Sequence, residues 1–180
     1  ELIAGNSSIH LLLAGSALCN DAVLKIQNDS AERFLAIGDP TEGALVVAAA
    51  RFDMDKYLLD KLFHRTAEIP FDSERKRMTT VHRFPTDIPE NLSTLHSGWV
   101  DAIRNGSSAP YVAFTKGAVD GLVGLSTKVW ANGCPTPLDD SWRERIIAAN
   151  ERMTGNGMRV LGLAFRTLHN PDLERVGESL

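Results

Sequence analysis

The sequence is short of several features that would identify a class of protein at once. It has only two cysteines, Cys19 and Cys134, which lie far apart and form no zinc-binding spacing with the five histidines. Both are predicted to be free thiols of a reducing compartment, outside any disulfide framework. No apolar run approaches the length of a membrane span, and we expect neither a signal peptide nor direct membrane insertion of this chain.

Positive charge is also scarce. The 180 residues carry 19 Lys and Arg against 23 Asp and Glu, which gives a formal net charge of −4. This balance excludes the broad basic surface that is typical of nucleic-acid binding, so no nucleic-acid partner is expected and any anion site must be local. The length fits one domain, 1–180, and the ordinary apolar content allows a core without disulfides.

Familiar catalytic motifs are missing as well. The sequence contains no Gly-x-Ser-x-Gly elbow, no Walker loop and no His-Glu-x-x-His metal motif. The glycines at 155 and 157 lack a third partner and follow a predicted helix, so they do not form a dinucleotide fingerprint. No acid and base stand out as a catalytic pair.

Helix and strand signals come in adjacent pairs. Helices are predicted after the cap residues Ser7 or Ser8, Asp39 and Asp55, and a capping box of Ser141 and Glu144 begins the last one. Loops are predicted at 25–31 and 85–110, with a brief element at 99–103, and the tail after residue 170 reads as a surface helix or linker. Strands are predicted at 33–37, 66–71, 78–84, 111–115, 127–131 and 158–166.

This order is not a βαβα alternation. It predicts an α+β fold, with a twisted antiparallel sheet of about six strands flanked by helical hairpins. The segment 158–166 is rich in apolar residues and is therefore predicted to be a central strand.

The stretch from Ile69 to Met78 combines an aromatic residue with a cluster of charges. The face of Phe71 could stack on a flat base, while the Arg and Lys residues that follow could meet negative charge. This pairing suits a nucleotide. The alternative is a core phenylalanine at the end of a strand, followed by a solvated charged turn.

Two further charged residues have simple structural explanations. Glu42 lies three residues after the cap Asp39, where it fits the second half of a capping box. Lys116 follows a clear strand and fits a solvated lysine at a turn. Gly117 beside it would let a backbone or a ligand come close to the strand end.

Five short motifs, weak alone, occur together in a specific order. As a set they resemble the nucleotide-binding (N) domain of P-type cation-transporting ATPases, in the type II, calcium-pump-like branch, and the resemblance covers nearly the whole chain. The motifs are ALCNDA at 17–22, GDPTEGAL at 38–45, PFDSERKRM at 70–78, TKGA at 115–118 and RVLGLA at 159–164.

The resemblance implies a role for each matching residue. Phe71 is expected to stack on adenine, Glu42 to lie near the adenine amino group, and Lys116 to lie deep in the adenine pocket. Arg159 is expected to reach the phosphate chain. The other residues implied to line the same site are Ser73, Lys76, Met78, Gly117, Ala118 and Leu161. Family members often have an arginine where Ser73 stands, so Arg75 or Lys76 is expected to replace that phosphate contact.

The resemblance also implies what lies elsewhere. The family's phosphorylated aspartate belongs to an Asp-Lys-Thr-Gly-Thr motif that this sequence lacks, as it lacks the family's magnesium-binding aspartates. The chain is therefore expected to be a domain excised from a larger membrane pump, which binds ATP or ADP and does not hydrolyse ATP alone. Mg²⁺ would accompany the nucleotide in the parent pump. The implied partners are the phosphorylation and actuator domains, on the cytoplasmic side of a membrane, and the implied transported ion is Ca²⁺ or a similar cation.

Two other classes remain open from the residues alone. One is a small stand-alone enzyme that uses Lys116 or a histidine as a base, and the other is an interaction domain that has kept the fold and lost the ligand. ATP binding without turnover would favour the N-domain interpretation, turnover the enzyme, and no binding the interaction domain.

Overall fold

The chain forms eight strands and six helices within the residues that the computed structural model describes, which are 7–26, 34–88, 98–104 and 107–171. None of these helices is long and apolar enough to cross a membrane. The elements in chain order are α1 (Ser7–Leu18), β1 (Val23–Ile26), β2 (Phe34–Ile37), α2 (Pro40–Ala50), α3 (Lys56–Leu62), β3 (Arg65–Asp72), β4 (Arg77–Arg83), α4 (Trp99–Arg104), β5 (Tyr111–Gly117), α5 (Val119–Leu125), β6 (Lys128–Ala131), β7 (Cys134–Pro137), α6 (Asp140–Gly155) and β8 (Gly162–Leu168).

The largest sheet has four antiparallel strands in the order β3–β4–β5–β8. Strands β4 and β5 are its centre, and β-branched and aromatic residues make them suited to a sheet buried on both faces. Two antiparallel ribbons, β1–β2 and β6–β7, complete the strands of the described chain. The predicted α+β class with antiparallel pairing is thus confirmed.

Two details of the sheet differ from the sequence prediction. The strands are divided among three sheets, so the largest has four strands instead of about six. The segment predicted as the central strand begins only at Gly162, and β8 lies at an edge of the sheet within the described residues. Its apolar side chains are covered by helices and by the Trp130 ring, which lies 5.4 Å from the Phe165 ring. This burial does not require a neighbouring strand on both sides.

Helices cover both faces of the sheet. A Cβ atom on Gly15 of α1 would lie 2.7 Å from Leu163 and 2.8 Å from Phe114, so α1 packs closely on the face that carries these two side chains. Residues of a strand alternate between faces, and Gly162 meets α5 at Leu122 on the opposite side. The main core therefore lies between the sheet and the helices α1, α3 and α4, where Phe63 and Trp99 stack 5.5 Å apart.

Cap residues fix where the helices begin. Asp39 and Asp55 accept backbone N–H groups of α2 and α3, as predicted. The predicted capping box of Ser141 and Glu144 is wrong, because Asp139 caps α6 by accepting from the Trp142 backbone N–H at 2.9 Å. Asp139 precedes Ser141 by two residues and has the extended backbone that a cap requires.

Short strands account for the other differences. The predicted loop 25–31 begins inside β1, and its remaining residues lie outside the described ones. Strand β7 went unpredicted because Pro135 and Pro137 argue against a strand, although both are tolerated in a two-stranded ribbon with an open edge. The brief element at 99–103 is the helix α4. The tail from 172 onward lies outside the described residues.

Candidate functional site

The strand register gathers most of the predicted site residues at one end of the four-stranded sheet. Asp72 pairs with Arg77, Arg77 with Gly117, and Gly117 with Gly162, so these four residues form one row across the sheet. Phe71, Lys116 and Leu161 are immediate chain neighbours of that row. Adjacent strands lie about 4.8 Å apart, which places Phe71 on the order of 10 Å across the sheet from Lys116.

Lys116 is buried at this end of the sheet and has two partners. Its Nζ donates to Glu42 Oε1 and to the backbone carbonyl of Cys19. The Lys116 side chain is only 9% exposed and that of Glu42 18%, so water screens this ion pair weakly. The expectation of a solvated lysine at a turn is therefore wrong.

Glu42 is held at both carboxylate oxygens. Oε1 accepts from Lys116, and Oε2 accepts from the backbone N–H of Asp21 at 3.1 Å. The backbone carbonyl of Glu42 also accepts from Asn20 Nδ2 at 3.0 Å. The carboxylate thus reaches across to the segment after α1 instead of back to the Asp39 backbone, and the capping-box explanation does not account for it.

The segment after α1 contacts the Lys116–Glu42 pair, although the resemblance implied no role for any of its residues. Cys19 is fully buried, and its Sγ donates to the Met78 carbonyl at 3.5 Å. Burial raises the pKa of the Cys19 thiol, with Lys116 opposing that shift, so the group is a neutral packing element here. The signal that could have found this segment is its motif, ALCNDA at 17–22.

Phe71 is 64% exposed, which excludes the core phenylalanine considered as an alternative. It lies near the end of β3, where the register with β4 shifts between Ile69 and Asp72. A shift of this kind redirects side chains at a strand end. The Phe71 ring is therefore available to a ligand at the end of the sheet.

The charged turn after Phe71 is held by its own side chains. Asp72 Oδ1 accepts from the backbone N–H groups of Glu74 and Arg75 at 3.0 and 2.7 Å, and Arg75 donates back to the Pro70 carbonyl at 3.1 Å. Arg75, predicted as one replacement for the arginine missing at Ser73, is thus engaged within the turn. Ser73 itself is exposed.

Lys76 and Gly117 meet through their backbones. Lys76 adopts a left-handed conformation with φ of 51°, and its carbonyl accepts from the Ala118 N–H at 3.1 Å. A Cβ atom on Gly117 would lie 2.5 Å from that carbonyl oxygen, so glycine is required by the neighbouring strand. Met78 is cross-strand from Lys116, and its side chain is buried in the core.

Arg159 lies outside the sheet row and contacts Thr41, the residue before Glu42. Its Nη1 donates to Thr41 Oγ1 at 2.7 Å, which fixes the exposed guanidinium at the start of α2. Backbone N–H groups of Glu42 and Thr41 lower the pKa of the Asp39 carboxyl in the same turn, and Arg159 adds to the shift. Leu161, 36% exposed, lies between Arg159 and the start of β8.

We call the following set of predicted residues the candidate pocket: Phe71 at the end of β3, the Lys116–Glu42 pair at the end of β5, and Arg159 with Thr41 at the start of α2. It offers an aromatic face, a buried carboxylate and cation, and an exposed guanidinium. This combination suits a ligand with a flat polar ring at one end and negative charge at the other.

A family model matches nearly the whole chain. The model described as "P-type ATPase, cytoplasmic domain N" matches residues 8–178. That range includes every residue of the candidate pocket.

Curated relatives point the same way. The chain is similar to Calcium-transporting ATPase 1 of Bacillus cereus, with 34% identity over all of this chain and 17% of the relative. It is 32% identical to the Probable cation-transporting ATPase F of Mycobacterium tuberculosis, over 88% of this chain and 14% of the relative. The human Calcium-transporting ATPase type 2C member 1 is 30% identical, again over 88% of this chain and 14% of its own length. The chain thus spans about a sixth or less of these relatives.

Proposed function

Because this chain belongs to the family of P-type ATPase cytoplasmic N domains, we propose that it binds ATP in the candidate pocket and presents the γ-phosphate to an aspartate of a separate phosphorylation domain. The observation that supports this best is the buried Lys116–Glu42 pair at the end of a sheet that also carries the exposed Phe71. Stability alone explains neither feature well. A buried ion pair adds little net stability to a fold, and an exposed aromatic ring buries little apolar surface.

In this proposal the adenine ring stacks on Phe71 and lies against the Lys116–Glu42 pair. Glu42 Oε2 receives one N–H from Asp21, and a carboxylate oxygen has a second lone pair that accepts from the exocyclic amine of adenine. Guanine would place a carbonyl oxygen there, which a carboxylate repels. Arg159 then meets the phosphate chain with guanidinium donors not used by Thr41.

The remaining implied residues have supporting roles. We propose that Gly117 and Ala118 keep the end of β5 against the Lys76 carbonyl, that Met78 packs beneath Lys116, and that Leu161 borders the base. Ser73 and Lys76 face the phosphate side from the exposed turn. We propose that Mg²⁺ arrives with the nucleotide, and the described residues contain no group of three or more His, Cys, Asp or Glu that could hold a metal ion.

We propose further that the chain is one domain, 1–180, of an integral membrane pump for Ca²⁺ or a similar cation. It would lie on the cytoplasmic side and close onto the phosphorylation and actuator domains. Such closure would bring the γ-phosphate to the reacting aspartate, because rigid-body motion of domains is a general means of assembling a site.

The test is a titration of the ¹⁵N-labelled chain with ATP, followed by two-dimensional NMR, together with an assay for released phosphate. We expect saturable shifts at Gly117, Ala118 and the 70–78 stretch, with a Kd on the order of a millimolar, because few contacts must offset the cost of association. We also expect no phosphate release above background.

Each alternative predicts a different result. Phosphate release that a point substitution in the candidate pocket abolishes would favour a small enzyme. A chain that remains folded and shows no shift up to tens of millimolar ATP would favour an interaction domain. Shifts confined to residues outside the candidate pocket would contradict the proposed site while leaving ATP binding intact.

A further inference from the structure

The carboxyl end of α1 is held by side chains from four different places in the fold. An α-helix leaves its last carbonyl groups without backbone partners, and this end is negative, so cations stabilise it. Three of the four donors here are cations. The pairs are Asn20 Nδ2 to Ser16 O (3.3 Å), Lys56 Nζ to Ala17 O (3.1 Å), Arg65 Nη2 to Leu18 O (3.1 Å) and Lys116 Nζ to Cys19 O.

Arg65 holds this segment from two sides. Its Nη2 donates to the carbonyls of Leu18 and Asn20, at 3.1 and 2.8 Å. Its Nη1 donates to Asp21 Oδ1 at 2.7 Å and to Glu68 Oε2 at 2.8 Å. The guanidinium thus fixes three residues of the segment 18–21, with its side chain 25% exposed. A planar guanidinium with several N–H donors can make these contacts at once, whereas a lysine ammonium cannot.

The segment that Arg65 holds supplies two backbone groups to the candidate pocket. The Cys19 carbonyl accepts from Lys116 Nζ, and the Asp21 N–H donates to Glu42 Oε2 at 3.1 Å. These two groups set the direction of the Lys116 ammonium and the Glu42 carboxylate. Within the described residues, no hydrogen bond or ion pair joins Arg65 to Lys116 or Glu42, so we expect any effect on them to pass through the backbone of 18–21.

We propose that Arg65 is a positioning residue for adenine recognition, which acts by holding segment 18–21 against the Lys116–Glu42 pair. The inference rests on the proposed function, since it concerns the selectivity of the same pocket. A recognition group must be held to within about 0.5 Å to discriminate, and the supporting shell supplies that precision. Removal of the guanidinium deletes no residue of the candidate pocket. It lets the Glu42 carboxylate, which distinguishes adenine from guanine in the proposal, move more freely.

The chain offers a matched control. Arg143 also donates through Nη1 and Nη2 to carbonyls at the end of a helix, Val123 O at 2.7 Å and Ser126 O at 3.2 Å. These carbonyls lie at the carboxyl end of α5, whereas the amino end of α5 is the one that follows Lys116 in the chain. Arg65→Met and Arg143→Met therefore remove the same kind of contact, one beside the pocket and one away from it.

The experiment measures Kd for ATP and for GTP by NMR titration of the wild type and both variants, after their spectra and melting temperatures show them folded. We expect Arg65→Met to reduce the preference for ATP over GTP about threefold or more, chiefly by weakening ATP. Arg143→Met should keep the preference within about twofold of wild type, even where both variants lose similar thermal stability. The Asp21 amide signal should move in Arg65→Met and stay in Arg143→Met.

A double-mutant cycle with Glu42→Gln separates positioning from general loosening. If Arg65 acts through Glu42, adding Arg65→Met to Glu42→Gln should change ATP binding by less than about 1.5-fold. Should Arg65→Met fail to fold, Arg65→Lys replaces it. Lysine keeps the charge but its single ammonium cannot span both sides of the segment, so the same loss of preference is expected.

Several outcomes would overturn the inference. The positioning role alone is removed if an Arg65 variant keeps the wild-type preference for ATP over GTP. It is also removed if the variant weakens ATP and GTP equally, as loss of a merely structural residue would, or if the double-mutant cycle is additive. A folded wild type that binds no ATP overturns the proposed function as well, which distinguishes the two failures.

Discussion

Arg159 and Thr41 are 118 residues apart in the sequence, and the Arg159 Nη1 donates a 2.7 Å hydrogen bond to Thr41 Oγ1. The contact joins the segment before β8 to the first turn of α2, one residue from Glu42. It uses one of the five N–H donors of the guanidinium and leaves the group exposed. The hydrogen bond therefore holds the Arg159 charge one residue from Glu42 without burying it.

Arg159→Ala is expected to weaken ADP and ATP about three- to tenfold and to leave adenosine almost unchanged, because only the phosphates meet the guanidinium. The difference should shrink between low and high salt, since the contact is exposed and screened. Titration of the three ligands at two salt concentrations tests this. Arg152→Ala, an exposed arginine in the last turn of α6, is the control and should change nothing. Equal weakening of adenosine and ATP by Arg159→Ala would contradict a phosphate role.

Phe71→Ala is expected to weaken adenosine, ADP and ATP by the same factor, because a stacking contact worth roughly 1–3 kcal/mol is common to all three. Thermal stability should hardly change, since the ring is 64% exposed. Tyr57→Ala is a closely matched control, as the Tyr57 side chain is 65% exposed and lies on α3. Unchanged affinity for all three ligands in a folded Phe71→Ala chain would remove Phe71 from the site.

Gly117→Ala is expected to destabilise the domain by roughly 1–3 kcal/mol, because the added methyl group would meet the Lys76 carbonyl at 2.5 Å and Arg77 Cβ at 2.7 Å. Gly121→Ala in α5 meets nothing within 4 Å and should stabilise by about 0.5–1 kcal/mol through helix propensity. Urea denaturation of the two variants beside wild type measures both effects. A Gly117→Ala chain as stable as wild type would show that β4 and β5 separate easily at this end.

Gly117 illustrates how far the sequence alone could go. Its position after a strand indicated a close approach by a backbone or a ligand, and in the structure a backbone, the Lys76 carbonyl, makes that approach. Local signals of this kind also predicted the starts of α2 and α3 at the caps Asp39 and Asp55, because a cap depends on a few neighbouring residues.

Interactions between distant segments were harder to predict. The motifs placed Glu42 and Lys116 in one site by resemblance, but spacing alone explained each as an ordinary surface residue. Nothing local in the sequence showed that Cys19 would offer its carbonyl to Lys116, a contact between residues 97 apart. The edge position of β8 was missed for a related reason: apolar composition reports burial, and helices bury a strand as well as neighbouring strands do.

Lys116→Met is expected to lower the free energy of unfolding by about 3 kcal/mol, because it leaves the Glu42 carboxylate partly buried without its cation. The double variant Lys116→Met/Glu42→Gln should be more stable than Lys116→Met, since no charge is then left unpaired. Urea denaturation at neutral pH gives both values. Equal stability of the single and double variants would indicate that water already solvates the Glu42 carboxylate.

His82 gives a prediction on pH, because its ring is fully buried and fully hydrogen-bonded in the neutral form. Nδ1 lies 2.9 Å from the Phe63 carbonyl, which only accepts, so Nδ1 carries the proton; Nε2 then accepts from Thr80 Oγ1 at 2.9 Å. Burial lowers the pKa of His82 from 6.5 to about 4, which the contact with Phe63 opposes.

The sign of the effect follows from which state binds the proton first. On acidification the unfolded chain protonates His82 near pH 6.5, while the folded chain does so only near 4. The stabilising contribution of the neutral ring is therefore complete above about pH 6.5 and is lost as pH falls toward 4, by roughly 3 kcal/mol in all. Urea denaturation across this range should show that His82→Gln, though less stable at neutral pH, loses stability less steeply than wild type. His169→Gln, at an exposed position, is the control and should keep the wild-type slope. A His82→Gln chain with the full wild-type slope would assign the pH dependence to the carboxylates alone.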